Sequence, residues 1–459
     1  MSKILPTIGP ITEELQSLKK ILRYSDLVRI NGSHATYAWH KNVVKKIRSI
    51  QKDAKILLDV PGIKPRTKNK TEIKITKSSY VVFFYKSINR NIFKDQKYIF
   101  IEITNPLPKI TQSINHFSIS DGQYKFIYKK NGKNYIVGRS TETFTLGEKK
   151  GLNVPFSVYD EKEQQKIYFK FLAKFKNIGI NAVGLSFIQD DKIVNSIKKK
   201  FPNFLIVSKI ENFAGLKNAK KITENSDVIM IDRGDLSAEI GEKDLYQAII
   251  NITSISREKG KPLIMATENL DSMMSRKSPT KSEIMSLGHS LQLDSDKIML
   301  SDETATSKNW FQIIKWLDNF IKLHEKNINA YKNSKKKNQI FWNILDNIVD
   351  IPVVIFSKKG FALEQISKLR KNIELTVFTD SPKVATLCMF RSKTRVFQID
   401  NFDKSQHAKH IYSNIKKNKK IIFKNNKQAL LIYVAYPRKN SRANTLSLIT
   451  QEDFSKWIR

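Results

Sequence analysis

Eight apolar runs, each ending in a polar tip, place the tightest limit on what this chain can fold into. They are "KILPTIGP" (3–10), "DLVRINGSH" (26–34), "AKILLDVPG" (54–62), "NAVGLSFI" (181–188), "FLIVSKIEN" (204–212), "DVIMIDRGD" (227–235), "KPLIMATEN" (261–269) and "DKIMLSDET" (296–304). Their hydrophobicity is continuous rather than alternating, which marks strands buried on both faces. Segments with helical periodicity intervene: in "QAIINITSISREKG" (247–260), Ala248, Ile249, Ile252 and Ile255 share one face, and Gly260 is placed to end the helix. Eight such units in series predict an α/β protein built on a TIM (β/α)8 barrel, whose active face lies at the C-terminal ends of the strands.

The barrel pattern occupies residues 1–67 and 151–330. Residues 68–150 interrupt it with short alternating stretches, among them "SISDGQYKFIYKKNGKNYIVG" (118–138) with "KNGK" as a hairpin turn, and they predict an inserted all-β lid domain on the active face. A Lys/Asn-rich linker, "IKLHEKNINAYKNSKKKNQ" (321–339), leads to a C-terminal α/β domain over 340–459 with strands in "IPVVIFSKKG", "IELTVFTD" and "QALLIYVAY".

Composition narrows the function classes. The single cysteine, Cys388, rules out an internal disulfide framework and a cysteine-based zinc cluster, and its apolar neighbours Leu387 and Met389 make it a core residue. No run approaches the roughly 20 apolar residues of a membrane span, and "MSKILPTIGPITEE" lacks the layout of a signal peptide, so a cytoplasmic location is expected. The net charge of +38 raises nucleic acid as a partner, but the lysines are scattered from end to end, and specific nucleic-acid binding is not expected. "RGD" (233–235) also spells an adhesion tripeptide, a reading that does not suit a cytoplasmic barrel, while the histidines of "HAKH" (407–410) and the lysine runs read as solvated surface.

The strand ends carry a consistent set of polar residues: Arg29, Asn31, Ser33 and His34 after the second run, and Asp59, Lys64 and Arg66 after the third. Ser186 closes the fourth, Lys209 and Glu211 the fifth, Asp235 follows the sixth and Thr267 ends the seventh. Two carboxylates, Glu211 and Asp235, with no His or Cys beside them suit a hard, oxygen-liganded ion such as Mg²⁺. Arg29 and Lys209 can hold phosphate. A divalent ion with fixed cations is what phosphoryl transfer requires, because charge on the transferring oxygens must be stabilised in a preorganised site.

At this point the sequence resembles the pyruvate kinase family. The segments "KILPTIGP", "VRINGSH", "LLDVPGIKPRT", "ISDGQ", "LGEKKGLNVP", "LSFI", "VSKIEN", "RGDLSAEI", "KPLIMATENLDSM", "SPTKSE" and "IMLSDETA" follow the family's order, and "RANTLSL" (442–448) is similar to its closing strand. The resemblance implies transfer between phosphoenolpyruvate and ADP to give pyruvate and ATP, with Mg²⁺ or Mn²⁺ on Glu211 and Asp235. It also implies that Lys209 stabilises the transferring group, Arg29 grips the phosphate and Thr267 stands beside the enolate. Ser186 and Gly234 join the substrate set. His34, Arg66, Asp121 and Lys150 fall on the nucleotide side, and a homo-oligomer, commonly a tetramer, is implied.

Several positions depart from the family's pattern: Asp232 in place of Ala, Glu268 of Gln, Gln189 of Arg, Asp302 of Gly, and Gly32 where an aromatic is common. Asp232 and Glu268 each add a carboxylate near an anionic substrate. They leave open a same-fold, metal-dependent enzyme acting on a different enolate or keto-acid phosphate, while the charge alone motivates a non-catalytic basic binding protein. Asn31, Ser33, Asp59 and the Val60 carbonyl resemble the family's K⁺ shell, and Lys64 stands where K⁺-dependent relatives carry glutamate. K⁺-independent activity is therefore expected, with the Lys64 ammonium in the ion's charge role. The loop "FSKKGFA" (356–362) lacks the hydroxyls of the family's sugar-phosphate turn, so that regulation is expected to be lost.

Overall fold

The structure is a computed structural model that describes residues 3–324, 351–368, 373–401, 408–433 and 445–456. All eight apolar runs form strands: β1 (Ile4–Ile8), β2 (Leu27–Asn31), β3 (Lys55–Val60), β4 (Ala182–Leu185), β5 (Leu205–Ile210), β6 (Val228–Asp232), β7 (Leu263–Ala266) and β8 (Lys297–Leu300). They close into one parallel barrel, with β8 paired to β1 through Ile4↔Ile298.

The period of two along each strand decides what faces the interior. Leu5, Leu27, Leu57, Leu205, Val207 and Met230 pack together inside the barrel, while Ile4, Ile30, Leu58 and Ile206 face the surrounding helices. Two residues beyond Leu5, Leu27, Leu57 and Val207, the same phase delivers Thr7, Arg29, Asp59 and Lys209 to the barrel mouth, and two beyond Met230 it delivers Asp232. The outer helices bury one stripe each. In the helix Glu242–Glu258, Ala248, Ile249 and Ile252 are buried and Ile255 is half-buried. Gly260 follows with φ +61°, and a Cβ there would lie 2.4 Å from the Glu364 carbonyl, so both backbone and packing exclude a side chain.

The inserted segment is all-β. Strands Tyr80–Tyr85, Tyr98–Ile103, His116–Ile119, Tyr124–Gly132, Tyr135–Ser140 and Leu152–Asn153 form a six-stranded sheet around Phe83, Phe117 and Phe126, and Ser157–Val158 pairs with Lys109–Ile110. Gly132 pairs with Tyr135, so the hairpin turns on Lys133 and Asn134, further along than "KNGK" suggested.

The C-terminal sheet runs in the order Thr394–Gln398, Leu375–Thr379, Val353–Phe356, Gln428–Tyr433 and Thr445–Thr450, the last antiparallel. Thr394–Gln398 was not anticipated. The helix Pro382–Phe390 starts on a Ser381 cap and ends by placing Phe390, fully buried, among the barrel's interior residues beside Leu5, Leu27 and Leu57. Cys388 is buried and free, and burial pushes its thiol up to about 12. Residues 325–339 of the expected linker, His407 of the "HAKH" pair and residues 442–444 of "RANTLSL" lie outside the described residues.

Candidate active site

Lys209 holds the centre of the barrel mouth. From the end of β5 its Nζ lies 3.0 Å from Glu211 Oε2, 3.3 Å from Asp59 Oδ2 and 3.5 Å from Asp232 Oδ2, and donates to Ser186 Oγ at 3.3 Å. Its pKa is raised: burial opposes the charge, but Asp59, Glu211 and Asp232 outweigh it. Arg29 donates from Nε and Nη2 to Asp59 Oδ2 (3.0 and 2.7 Å) and from Nη1 to Thr7 Oγ1 at 2.9 Å. Three of the five guanidinium donors are thereby used, and two remain for a ligand. Ser186 Oγ donates to Asp59 Oδ1 at 3.0 Å. Burial alone would push Asp59 up, yet Lys209 and Arg29 hold its carboxyl below the ordinary range.

Glu211 is fully buried. Its Oε1 accepts from the Phe187 amide at 2.6 Å, while Oε2 lies against Lys209 without a hydrogen bond of acceptable geometry. One oxygen from each of Glu211, Asp232 and Asp235 lies within 4.8 Å of the others. Burial first, then Asp232 and Asp235, raise the Glu211 carboxyl well above its ordinary value. Burial, Asp121 and Asp232 likewise push Asp235 up to about 6, against the opposing Lys64.

Lys64 joins the inserted domain to the barrel. Its Nζ donates to Asp121 Oδ1 at 2.6 Å and also contacts Asp235 Oδ1. Asn153 Nδ2 bridges Asp235 Oδ1 (3.4 Å) and Glu239 Oε1 (3.1 Å). Asn31, Ser33 and Val60 make local contacts: Ser33 N donates to Asn31 Oδ1 at 3.0 Å, and Ser186 N to the Val60 carbonyl at 3.4 Å. The Lys64 ammonium thus sits at Asp121 and Asp235, and no hydrogen bond from it to Asn31, Ser33 or Asp59 occurs among the described residues.

Thr267 adopts φ +61° and Glu268 φ +50°, left-handed geometry that is unusual for a β-branched residue. Arg233 fixes this turn by donating to the Thr267 and Glu268 carbonyls and to Asn269 Oδ1 at 2.9 Å. Thr267 Oγ1 accepts from Gly234 N at 3.1 Å and donates to Asp232 Oδ1 at 3.0 Å. Sequence reasoning passed over Arg233 and Asn153. The orientation of Asp232 could have been found, since it continues the inward phase of Val228 and Met230.

Of the residues expected on the nucleotide side, His34 is exposed at its surface, yet partial desolvation and then Arg66 lower its imidazole pKa, with Asp302 opposing. Lys149 adds to that effect, and Arg66 Nη1 donates to the Lys149 carbonyl at 3.2 Å. The neighbouring Lys150 is exposed, and its amide donates to Thr67 Oγ1 at 3.1 Å. Gln189 lies apart from the cluster: buried, it exchanges bonds with the backbone of Tyr159 and with Gln164 Oε1. At Gly32 a Cβ would meet the Phe171 ring at 2.5 Å, so a ring from the helix Glu161–Phe175 fills the space where the family commonly has an aromatic side chain.

The donor set fits a divalent cation. Five carboxylates (Asp59, Asp121, Glu211, Asp232, Asp235) meet three cations (Arg29, Lys64, Lys209), a deficit of two charges when all are ionised. The buried Glu211 Oε2 lacks a hydrogen bond, and oxygen-only ligands suit Mg²⁺ or Mn²⁺.

A family model described as pyruvate kinase, barrel domain, matches residues 1–312. The chain belongs to the pyruvate kinase family. It is similar to the pyruvate kinase of Thermococcus litoralis, 26% identical over 433 residues that cover 88% of this chain and 90% of that protein. Against the pyruvate kinase of Borreliella burgdorferi it is 24% identical over 480 residues, 99% and 98% of the two chains. The Dictyostelium discoideum pyruvate kinase is 31% identical over 326 residues, 66% of this chain and 62% of that one. Such identities mark a divergent member of the pyruvate kinases. No helix among the described residues is long and apolar enough to cross a membrane.

Proposed function

We propose that the protein transfers a phosphoryl group between phosphoenolpyruvate and ADP, yielding pyruvate and ATP in the cytoplasm, and that it needs Mg²⁺ or Mn²⁺ but not K⁺. The observation that carries this reading is Lys209, a buried ammonium held among Asp59, Glu211 and Asp232 at the barrel mouth. Glu211 and Asp235 would hold the divalent cation, which when bound neutralises charge on the transferring group and its leaving oxygen.

The chain's own residues supply the rest of the chemistry. Arg29, braced by Asp59 and Thr7, presents its two remaining donors to the phosphate, and Lys209 stabilises charge on the transferring oxygens. Ser186 and the Gly234 turn position the substrate. The Thr267 hydroxyl, between Gly234 N and Asp232 Oδ1, stands at the enolate side and can pass a proton to it. His34, Arg66, Asp121 and Lys150 face the nucleotide, and the inserted sheet covers the mouth and excludes water that would intercept the phosphoryl group. K⁺ independence follows from the cations already present: Asp59 has Arg29 and Lys209, and Lys64 adds an ammonium beside Asp235. Assembly as a homotetramer belongs to the same proposal and is checked by its mass in solution.

Asp232 and Glu268 favour one alternative. Together with Thr267 Oγ1 they bracket Gly234, with a Cβ there 4.0 and 3.9 Å from their carboxylate oxygens, which motivates a different enolate or keto-acid phosphate as substrate. Incubation with phosphoenolpyruvate, ADP and Mg²⁺, followed by ³¹P NMR, separates the two: equal amounts of pyruvate and ATP support the first reading. A folded, Mn²⁺-binding protein that leaves phosphoenolpyruvate untouched rejects it in favour of the alternative.

A further inference from the structure

Asp232 occupies a position where the family usually has no side-chain donor, yet it is buried and turned into the mouth by the strand's inward phase. Its Oδ1 accepts from Thr267 Oγ1 at 3.0 Å and, at a weak 3.5 Å, from the Asp235 amide at the start of the helix Arg233–Ile240. Its Oδ2 is 3.5 Å from the Lys209 ammonium. Helix capping alone does not explain a carboxylate here: a neutral Ser or Asn caps as well and avoids burying a third negative charge beside Glu211 and Asp235.

Two further features make that charge intelligible. Glu211 Oε2 is wholly buried and lacks a hydrogen bond, although Lys209 lies 3.0 Å away. Asp235 Oδ1 is already engaged by Lys64 and by Asn153 Nδ2, which reduces what Asp235 can offer a metal. An ion entering this site would find both Glu211, ion-paired to Lys209, and Asp235, held by Lys64, already facing ammonium groups unless a third carboxylate were supplied. Mg²⁺ is usually held by one or two carboxylates together with waters and substrate oxygens, and each added carboxylate raises the charge that the protein itself offers the ion.

We propose that Asp232 is a third carboxylate ligand to the divalent cation, adding its charge to that of Glu211 and Asp235. This rests on the metal-binding part of the reading above and adds a ligand particular to this chain. The occupant is a hard divalent cation, Mg²⁺ or Mn²⁺, held through oxygen alone.

The test is titration of the substrate-free protein with Mn²⁺, followed by the loss of the free-ion EPR signal. Asp232→Asn is the informative variant, because an amide oxygen can still accept from Thr267 and from the Asp235 amide while the ligand charge is removed. The expected result is a Kd at least tenfold weaker than wild type with an unchanged melting temperature, and Asp232→Ala should weaken binding at least as much. Glu211→Gln separates the two levels of the argument. If Glu211→Gln weakens Mn²⁺ binding while Asp232→Asn stays within twofold of wild type, the third ligand is wrong and the two-carboxylate reading stands. If neither variant changes the affinity, both are wrong.

Discussion

The Lys64 ammonium donates to Asp121 at 2.6 Å, a bond from the barrel's third β–α loop to the inserted sheet. The same ammonium contacts Asp235, so one buried cation connects the lid to the carboxylate proposed to hold metal. Replacing it by methionine leaves Asp235 without its ammonium partner and frees the inserted sheet at Asp121. Lys64→Met should lower stability by about 3 kcal/mol, in the range for breaking one half of a buried pair, and should speed amide exchange around Asp121. Protection there equal to wild type would remove the latch from the account.

Lys64→Glu goes further by placing another carboxylate beside Asp121 and Asp235. Wild-type activity is expected to be insensitive to K⁺, and the Glu variant to need it. Strong K⁺ activation of wild type with no change in the variant contradicts the charge-replacement argument.

Glu239 is fully buried behind Asp235, and burial with the charge of Asp235 pushes its carboxyl from 4.5 up to about 8, despite Lys64 and Asn153. The folded state keeps this proton to about pH 8 while the unfolded chain loses it near 4.5. Between those values the folded form binds more protons, so stability from this group falls as pH rises. Glu239→Gln removes the penalty. Its gain in stability over wild type, followed by thermal melting, should be near zero below pH 4.5 and grow toward pH 8, to at most about 5 kcal/mol. A difference independent of pH would show that Glu239 stays ionised.

Phe390 fills the barrel interior from the C-terminal domain, so that domain contributes to the catalytic barrel's core. Phe390→Ala should cost about 3 to 5 kcal/mol and lower the cooperative melting of the whole protein. Loss of a separate, low-temperature transition alone would place Phe390 outside the shared core.

The barrel was legible because its strands are continuous apolar runs with polar ends, and the set Arg29, Asp59, Lys209 and Asp232 follows from their inward phase. What the sequence could not display is which ends meet. Lys209 touches side chains from β3 and β6 only because the barrel closes around it. Lys149 contributes to the electrostatics of His34 and has φ +55°, a local turn that no pattern of residues announced. Gln189 looked like a substrate-site change, yet its amide is used on the Tyr159 backbone. The strand Thr394–Gln398 escaped notice because its half-exposed residues lack the apolar run that marked the others.

The central claim is that the Lys209 ammonium stabilises phosphoryl transfer at this barrel mouth. It is tested most directly by the turnover of Lys209→Met with phosphoenolpyruvate, ADP and Mg²⁺, in protein shown to bind Mn²⁺. The account predicts a fall in kcat of at least about a hundredfold to a thousandfold with metal binding retained. A rate within tenfold of wild type would contradict it.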